Sequence, residues 1–326
     1  MILSKHIAEV DEQDFPYPFL NEYHQFEEES NSECFFVQSN DEKIQMPIKI
    51  SKVAFIKRLT ILFPPLDKQG LRLPKEVELN FLDEFVLFCK NEKLTDRIIQ
   101  PLLLDSFQTY PKGSTFCKFG QLSIEIEYQT EAEILNGINS RDRRYIKSAP
   151  KNGAICKFDN CIEEFFEVFK ETMLQNELYY HDLEYFQNLK NRFPSNSICG
   201  IVSVDGKAEG SLFILFTKFS AYFLYGGAVT QKVNGSVKLL HYEVIKILKE
   251  KGIKYAVLGG ARINVDPTKK QYGIQKFKEK LGTKLIEGYL WKKDLSKFKC
   301  FVFDTILLIK NRKKQIDIID QEKVNS

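Results

Sequence analysis

Residues 198–216 read ICGIVSVDGKAEGSLFILF, and this stretch decides the architecture of the second half of the chain. Two apolar, β-branched runs flank Asp205-Gly206, a dipeptide that favours a type I′ turn, so the stretch predicts a β-hairpin. A third strand, AYFLYGG at 221–227, follows a short polar connection. We therefore expect three consecutive strands in this region.

A helix and a fourth strand come next. Apolar residues at helical spacing predict a helix from Ser236 to Lys251, and Gly252 suits the position after its end. These apolar residues are Val237, Leu240, Val244 and Leu248. The run IKYAVLGG (253–260) is nearly all apolar, which is typical of a central strand covered on both faces. Strand, helix and strand in this order predict a parallel crossover and an α/β domain.

A further helix is predicted ahead of the hairpin, near residues 161–173. Asn160 and Glu163 have the spacing of a capping box at its start. One face is apolar and consists of Ile162, Phe165, Phe166, Phe169 and Met173. The second half thus contains every element of a complete α/β domain.

The first half repeats this order of elements. It contains the strands CFFVQS, EKIQMPIKI and RLTILF within residues 34–63, a helix begun by Pro74, and the strand DRIIQPLL at 96–103. We infer a tandem duplication, and predict an α/β fold of two domains, each a mixed central sheet flanked by helices. The predicted boundaries are 1–130 for a first domain without a recognisable cofactor loop, 131–150 for a basic connecting helix, 151–300 for the second domain, and 301–326 for a C-terminal strand or helix with a polar tail.

Composition narrows the class of protein. The chain has 326 residues, 43% of them apolar, and 47 basic against 44 acidic residues give a formal charge of +3. This balance argues against a general nucleic-acid or membrane binder. The N-terminus lacks the apolar run of a secretory signal and no segment approaches a membrane span, so we expect a cytoplasmic protein. Seven scattered cysteines suit buried, reduced thiols, and we expect no metal.

A small polar turn precedes the helix at Ser236. Gln231, Asn234, Gly235 and Ser236 lie where free backbone amides and the helix dipole favour an anion such as a pyrophosphate. The turn therefore predicts a cradle for the donor cofactor. Asn-Gly also occurs in such turns for backbone reasons alone, so a purely structural role stays open.

This order of hairpin, strand, loop, helix and strand resembles the GNAT acyltransferase fold. Gln231 and Ser236 match the first and last positions of its pyrophosphate loop, whereas Asn234 replaces a glycine. Three segments are similar to the tandem-GNAT, Fem-like branch of peptidoglycan-bridge and envelope-sugar transferases. They are SRDRRYIKSAPKNGAICK (140–157), LLHYEVIKILKEKGIKYAVLGG (239–260) and YGIQKFKEKLG (272–282), the last of which carries a Phe-Lys-x-x-x-Gly signature.

The resemblance implies catalytic roles. It places Lys278 near the acyl group, where an ammonium could stabilise the oxyanion, with Phe277 packed beneath it. Tyr225, His241 and Glu243 are candidates for the base that accepts the proton of the nucleophile. Core packing remains the alternative for His241 and Tyr225, and a surface position for Lys278. Residues 255–258 lack the acidic residue that the family often has there.

Two arginines are candidates for substrate binding. Arg144 belongs to a basic stretch with Arg141, Lys147 and Lys151, which could meet an anionic substrate or the backbone of a tRNA, or could form a solvated helix face. Arg262 follows the paired glycines at the carboxyl end of the central strand, where open α/β sheets bind ligands.

Three functions remain open at this point. The resemblance implies an acyltransferase that uses acyl-CoA, such as acetyl-CoA, on a small-molecule or lipid-linked sugar or peptide precursor of the cell envelope. An aminoacyl-tRNA-dependent transferase of the Fem type is the first alternative. A sugar- or peptide-binding module without activity is the second.

Overall fold

The computed structural model describes residues 1–7, 11–29, 31–311 and 316–323. The chain forms two compact units. The first comprises Met1–Gln121, Gly260–Val265 and Leu285–Ser326, and the second comprises Leu122–Gly259 and Asp266–Lys284. The units therefore cut across the continuous segments proposed from the sequence.

The strands, in chain order, are β1 (Ile2–Ser4), β2 (Ser32–Gln38), β3 (Ile44–Val53), β4 (Ile56–Ile61), β5 (Leu66–Asp67), β6 (Arg97–Ile98), β7 (Thr115–Glu125), β8 (Ala154–Phe158), β9 (Ser197–Val204), β10 (Lys207–Phe216), β11 (Ser220–Ala228), β12 (Tyr255–Arg262) and β13 (Lys284–Asp294). The α-helices are α1 (Asn21–Glu28), α2 (Lys75–Asn91), α3 (Glu131–Gly137), α4 (Ser140–Ser148), α5 (Ile162–Gln175), α6 (Leu183–Arg192), α7 (Ser236–Glu250), α8 (Lys270–Glu279), α9 (Lys297–Asn311) and α10 (Ile318–Lys323).

The sheet of the first unit has the strand order β1-β2-β3-β4-β6-β13. Its neighbours are antiparallel except β4 and β6, which run parallel. Helix α2 packs its apolar face, including Phe81 and Phe85, into the core of this unit. Strand β13 belongs here because it pairs with β6, with Lys293 opposite Ile98. This pairing is why residues 285–300, assigned to the second domain from the sequence, belong to the first unit.

The sheet of the second unit has the order β12-β11-β10-β9-β8. All neighbours are antiparallel except β11 and β12, whose parallel pairing confirms the crossover predicted through α7. The predicted hairpin is confirmed as β9 and β10, and Asp205 and Gly206 have the positive φ values, 49° and 75°, that a type I′ turn requires. Helix α7 packs its apolar face into a core cluster of this unit.

Both units share one order of elements. In each, three antiparallel strands lead to a helix and then to a strand that pairs in parallel with the third strand. The segments are β2-β3-β4-α2-β6 in the first unit and β9-β10-β11-α7-β12 in the second. The predicted class, an α/β fold with mixed sheets flanked by helices, is confirmed.

Three local predictions need correction. The capping box at Asn160 and Glu163 is wrong, because Cys161 is the N-cap of α5, no side chain caps the helix, and Asn160 has a left-handed φ of 43°. Residues 131–150 form two helices, since Asn139 interrupts the run and caps α4 by accepting a hydrogen bond from the Arg141 amide. The strand predicted at 96–103 is only Arg97–Ile98.

The described residues also bear on membrane and thiol chemistry. None of their helices combines the length and apolar character needed to cross a membrane. The apolar stretch near the C-terminus is helix α9. All seven cysteines are free thiols, and six of them are buried.

Candidate active site

The second unit opens between β11 and β12. These parallel strands pair only from Ser220 to Tyr222 on β11 and from Tyr255 to Val257 on β12. Beyond Tyr222, residues 223–228 are only partly buried, as is Gly259 on the other strand. The strands thus separate toward their carboxyl ends, which is where open α/β sheets bind their ligands. We call this space the β11–β12 opening.

Lys278 of α8 lies at this opening. A β-carbon placed on Gly259 would stand 3.1 Å from its Nζ, so the ammonium group is close to the β12 backbone. Lys278 is largely buried, and its Nζ has no hydrogen bond or ion pair with any residue that the structure describes. A buried cation without a partner is costly, and such groups mark functional sites.

Burial also changes the chemistry of this amine. Removal from water lowers the pKa of Lys278 from its usual value to about 8. At neutral pH the group is still mainly an ammonium ion, but it releases its proton far more readily than an exposed lysine. In this form the group can donate a hydrogen bond to an anionic oxygen.

His241 and Phe277 lie beside Lys278. The ring of His241 is 5.1 Å from that of Phe277 and is stacked at 5.7 Å on Phe223. Its Nδ1 is 2.8 Å from the Val237 carbonyl oxygen one turn earlier. Burial lowers the pKa of His241 to about 4, so the ring is neutral and Nδ1 must carry the proton that it donates to this carbonyl. His241 has the contacts of a core residue and is a weak base.

A β-bulge in β11 separates Tyr225 from the residues around Lys278. Phe213 pairs with Tyr225, but the next residue, Ile214, pairs with Phe223, so Leu224 is the extra residue on β11. Phe223 therefore lies against α7 with His241. Without the bulge, residues two apart on a strand would share a face.

Tyr225 packs against α5 and α6 instead. Its ring is 5.8 Å from that of Phe169 and 5.0 Å from that of Phe186. Its hydroxyl lies 3.0 Å from the hydroxyl of Tyr185, on which His181 stacks at 3.8 Å. The structure thus brings together Lys278, His241 and Phe277, and separates Tyr225 from them.

The predicted donor loop is present, and the hydroxyl of its last residue, Ser236, is already hydrogen-bonded within the loop. Gln231 and Asn234 are exposed, whereas Ser236 is fully buried and its hydroxyl donates to the Val233 carbonyl at 3.0 Å. Gly235 has a φ of 93° and is the N-cap of α7. A β-carbon on Gly235 would lie 2.5 Å from the Tyr145 carbonyl oxygen of α4.

Glu209 adds negative charge at the same place. Its buried carboxylate accepts a hydrogen bond from the Val233 amide, at 2.9 Å from Oε2 and 3.1 Å from Oε1. A pyrophosphate seated at this loop would face that carboxylate and the Tyr145 carbonyl oxygen. Both groups disfavour the pyrophosphate of coenzyme A at this loop.

The two candidate arginines have different surroundings. Arg144 is exposed on α4 and has no partner among the described residues. Arg262 belongs to the first unit, where it pairs with the buried Glu322 at 2.6 Å and donates to Gln321 at 2.8 Å. Because Glu322 already neutralises it, Arg262 is poorly suited to binding an anionic substrate.

Sequence reasoning missed Glu209, Tyr185 and His181. Glu209 left a signal, because it is an acidic residue within a predicted strand, three residues before the apolar run that begins at Leu212. Tyr185 and His181 left none, since only the fold brings them to Tyr225. Across the described ranges, no cluster of His, Cys, Asp or Glu could hold a metal ion.

Comparisons with known proteins identify the fold. No protein-family model matches the chain, and no curated protein matches it significantly. Among solved structures, the chain is similar to FemX, with 13% identity, a TM-score of 0.64, and coverage of 87% of this chain and 93% of FemX. It is also similar to the C-terminal domain of a putative lysylphosphatidylglycerol synthetase from Agrobacterium fabrum, with 14% identity, a TM-score of 0.52, and coverage of 84% of this chain and 89% of that domain. The similarity to L-PGS from Bacillus licheniformis has 14% identity, a TM-score of 0.51, and coverage of 80% of this chain and 84% of L-PGS. The predicted resemblance to the Fem-like, tandem-GNAT transferases is thus confirmed at the level of the fold.

Proposed function

We propose that this chain is an acyl- or aminoacyltransferase whose reaction takes place in the β11–β12 opening of the second unit. The observation that carries this proposal is the largely buried ammonium of Lys278 beside Gly259, which no described residue pairs with. The similarity in fold to FemX and to the synthetase domain supports the same class of reaction.

The reaction needs few groups. The nucleophile of the acceptor, an amine or a hydroxyl, attacks the carbonyl carbon of the donor ester, and a C–N or C–O bond forms. The Lys278 ammonium stabilises the oxyanion that develops on the carbonyl oxygen. When the oxyanion collapses, the bond to the leaving oxygen breaks and the proton of the nucleophile passes to that oxygen. Orientation of the two substrates supplies much of the acceleration.

The donor that fits best is an aminoacyl-tRNA. Glu209 and the Tyr145 carbonyl oppose a pyrophosphate at the start of α7, which argues against acyl-CoA. Next to this point, α4 and the residues after it expose Arg141, Arg144, Lys147 and Lys151 at intervals of three or four residues. None of the four forms an ion pair with a described residue. A row of such cations at this spacing can follow a phosphate backbone.

The acceptor we propose is a sugar or peptide precursor of the cell envelope. The Agrobacterium fabrum protein is named for the synthesis of lysylphosphatidylglycerol, in which an aminoacyl group is joined to a lipid. That name and the resemblance of residues 272–282 to the Fem-like family both favour an acceptor that belongs to the cell envelope.

The test uses the purified full chain and two donors. Aminoacylated tRNA minihelices and acetyl-CoA are each incubated with UDP-linked amino sugars and a muramyl pentapeptide, and products are detected by mass spectrometry. We expect an aminoacylated product from the minihelix. Lys278→Met should lower its rate by about 10²–10³-fold, as loss of an oxyanion donor does. Lys280→Met, at an exposed lysine just after α8, is the matched control and should leave the rate unchanged.

Each other outcome has a defined meaning. Acetylated product would restore acetyl-CoA as the donor. No product with either donor, from protein that melts cooperatively, would favour the binding module without activity. An unchanged rate in Lys278→Met would remove the role assigned to Lys278.

A further inference from the structure

Helix α9 of the first unit is apolar on both sides. Its inner face is buried, with Cys300 and Phe303 exposed by 0% and 5%. On the outer face Phe298, Phe301 and Ile309 recur at helical spacing and are exposed by 78%, 69% and 74%. An apolar helix face that is exposed over several turns normally marks an interaction surface. Within the described residues nothing covers this outer face.

The turn between β3 and β4 extends the same apolar surface. Phe55 is 43% exposed, and its ring lies 6.0 Å from that of Phe303 of α9. Lys52 and Lys57 flank Phe55 and lie directly opposite each other across the hairpin. An exposed aromatic ring between lysines is typical of a segment that enters the boundary of a membrane. We call Phe55, Phe298, Phe301 and Ile309 the apolar surface of the first unit.

A cavity of about 940 Å³ lies beside this surface, and both cations and carboxylates line it. Phe303, Leu307 and Leu308 line it on the α9 side. Its four carboxylates pair with two of its cations, since Asp294 and Asp304 bind Arg97, and Asp317 and Asp320 bind Lys292. Arg58 and Lys297 line the cavity as cations outside these pairs. Neither cation has an ion-pair partner among the described residues, and the Nε of Arg58 is buried without an acceptor.

The positive charge of Arg58 is not neutralised by any described residue. Arg58 lies opposite Arg97 on the parallel strand β6. Arg97 is held by Asp294 at 2.5 Å and by Asp304 at 2.7 Å, so its charge is compensated, whereas no carboxylate of the described ranges pairs with Arg58. Burial, and then the neighbouring Arg97, lower the pKa of Arg58. A half-buried guanidinium whose Nε has no acceptor within the described part of the chain is suited to a bidentate anion such as a phosphate.

We propose that the first unit binds the surface of a membrane containing anionic phospholipid, with its apolar surface in the lipid boundary and a lipid phosphate at Arg58 and Lys297. This occupant satisfies both features at once, since its acyl chains cover the apolar side chains and its headgroup supplies the missing anion. A soluble anion would leave the apolar surface bare. A two-fold dimer through α9 would bring Lys52, Lys57 and Lys297 of one copy toward those of the other, because such an interface joins identical patches.

The test is co-sedimentation of the full chain with vesicles of phosphatidylcholine, with or without 30% phosphatidylglycerol. We expect binding to the anionic vesicles to be at least about tenfold stronger, given roughly fivefold per basic residue near the surface. Phe298→Ser with Phe301→Ser should weaken binding to anionic vesicles by at least tenfold. Ile155→Ser, which removes an equally exposed apolar side chain of the second unit, should have no effect.

Arg58→Gln tests the phosphate site. It should reduce the preference for anionic vesicles several-fold without lowering the melting temperature, because among the described residues no acceptor meets the buried Nε of wild-type Arg58. The proposal fails if the wild type ignores anionic vesicles, if the double serine variant binds them normally, or if Arg58→Gln keeps the full preference. It also fails if size-exclusion chromatography shows a dimer that the double variant disperses, with no vesicle binding. This test is independent of the transferase reaction, which belongs to the second unit.

Discussion

The Nζ of Lys278 lies against the α-carbon of Gly259, so close that a β-carbon there would stand 3.1 Å away. Gly259 also has a φ of +100°, a conformation that residues with a side chain rarely adopt. Glycine is therefore favoured here for two reasons, because it adopts the left-handed backbone of β12 at the β11–β12 opening and leaves room for the ammonium group.

Gly259→Ala should therefore impair the reaction. The new methyl group would displace Lys278, and the strained backbone would cost about 1–3 kcal/mol of unfolding free energy. We expect turnover to fall at least tenfold while the protein still melts cooperatively. Gly273→Ala is the matched control, because its β-carbon would meet nothing within 4 Å. Equal turnover in both variants would show that the position of Lys278 is unimportant.

Lys278→Met should lose activity and gain stability. Burial lowers the pKa of Lys278 to about 8 from the usual 10.5, and this shift corresponds to about 3 kcal/mol at neutral pH. Replacing the ammonium with an apolar group of similar length removes that penalty. Urea unfolding of variant and wild type measures the difference. A less stable Lys278→Met would mean that the lysine is structural.

The pH dependence has a defined sign. If the ammonium form of Lys278 is the working form, turnover should be constant below about pH 8 and fall about tenfold per unit well above it. Stability should change in the opposite direction. Between about pH 8 and 10.5 the unfolded chain holds more protons on this residue than the folded one, so stability rises with pH there. A rate that increased through pH 8 would instead make Lys278 a base.

Local patterns made the second unit predictable. Asp205-Gly206 fixed the hairpin because few dipeptides favour its turn, and the apolar spacing from Val237 to Leu248 fixed α7. The bulge at Leu224 was not predictable, because it arises from the pairing of β11 with β10 and not from either strand alone. His241 and Phe277 lie together beside Lys278, whereas Tyr225, on the other side of the bulge, packs against Phe169 and Phe186.

Features that depend on contacts between distant segments of the chain could not be predicted from local patterns. The assignment of residues 285–300 to the second half followed their position in the chain, but β13 pairs with β6, nearly 200 residues earlier. The donor loop was recognised from Gln231 to Ser236, yet its electrostatics depend on Glu209 and Tyr145, which come from a strand and a helix elsewhere in the sequence. The sequence motif located the loop, whereas the negative groups beside the loop became visible only in the folded structure.

The exposed cations of α4 and its C-terminal extension should contribute to binding of the tRNA donor. Arg144→Glu should weaken the affinity for a tRNA minihelix and reduce the slope of log K against log salt by about 1 for each phosphate that the variant no longer neutralises. Lys207→Glu, which reverses an exposed charge on the β9–β10 hairpin, is the matched control. Fluorescence anisotropy at several salt concentrations measures both quantities. The same decrease in both variants would mean that only net charge matters.

Glu209→Gln tests why coenzyme A should not bind. Glutamine keeps an oxygen that can accept the Val233 amide, so the loop should hold its shape while the negative charge disappears. We expect 1 mM coenzyme A to leave the melting temperature of the wild type unchanged. It should raise that of Glu209→Gln by roughly 2–4 °C, which is the shift for a Kd near 0.1 mM and a stabilisation of about 1.4 kcal/mol. Glu250→Gln, at the far end of α7, should behave like the wild type. A shift in the wild type itself would return coenzyme A to the loop, and no shift in either would leave the Tyr145 carbonyl oxygen as the barrier.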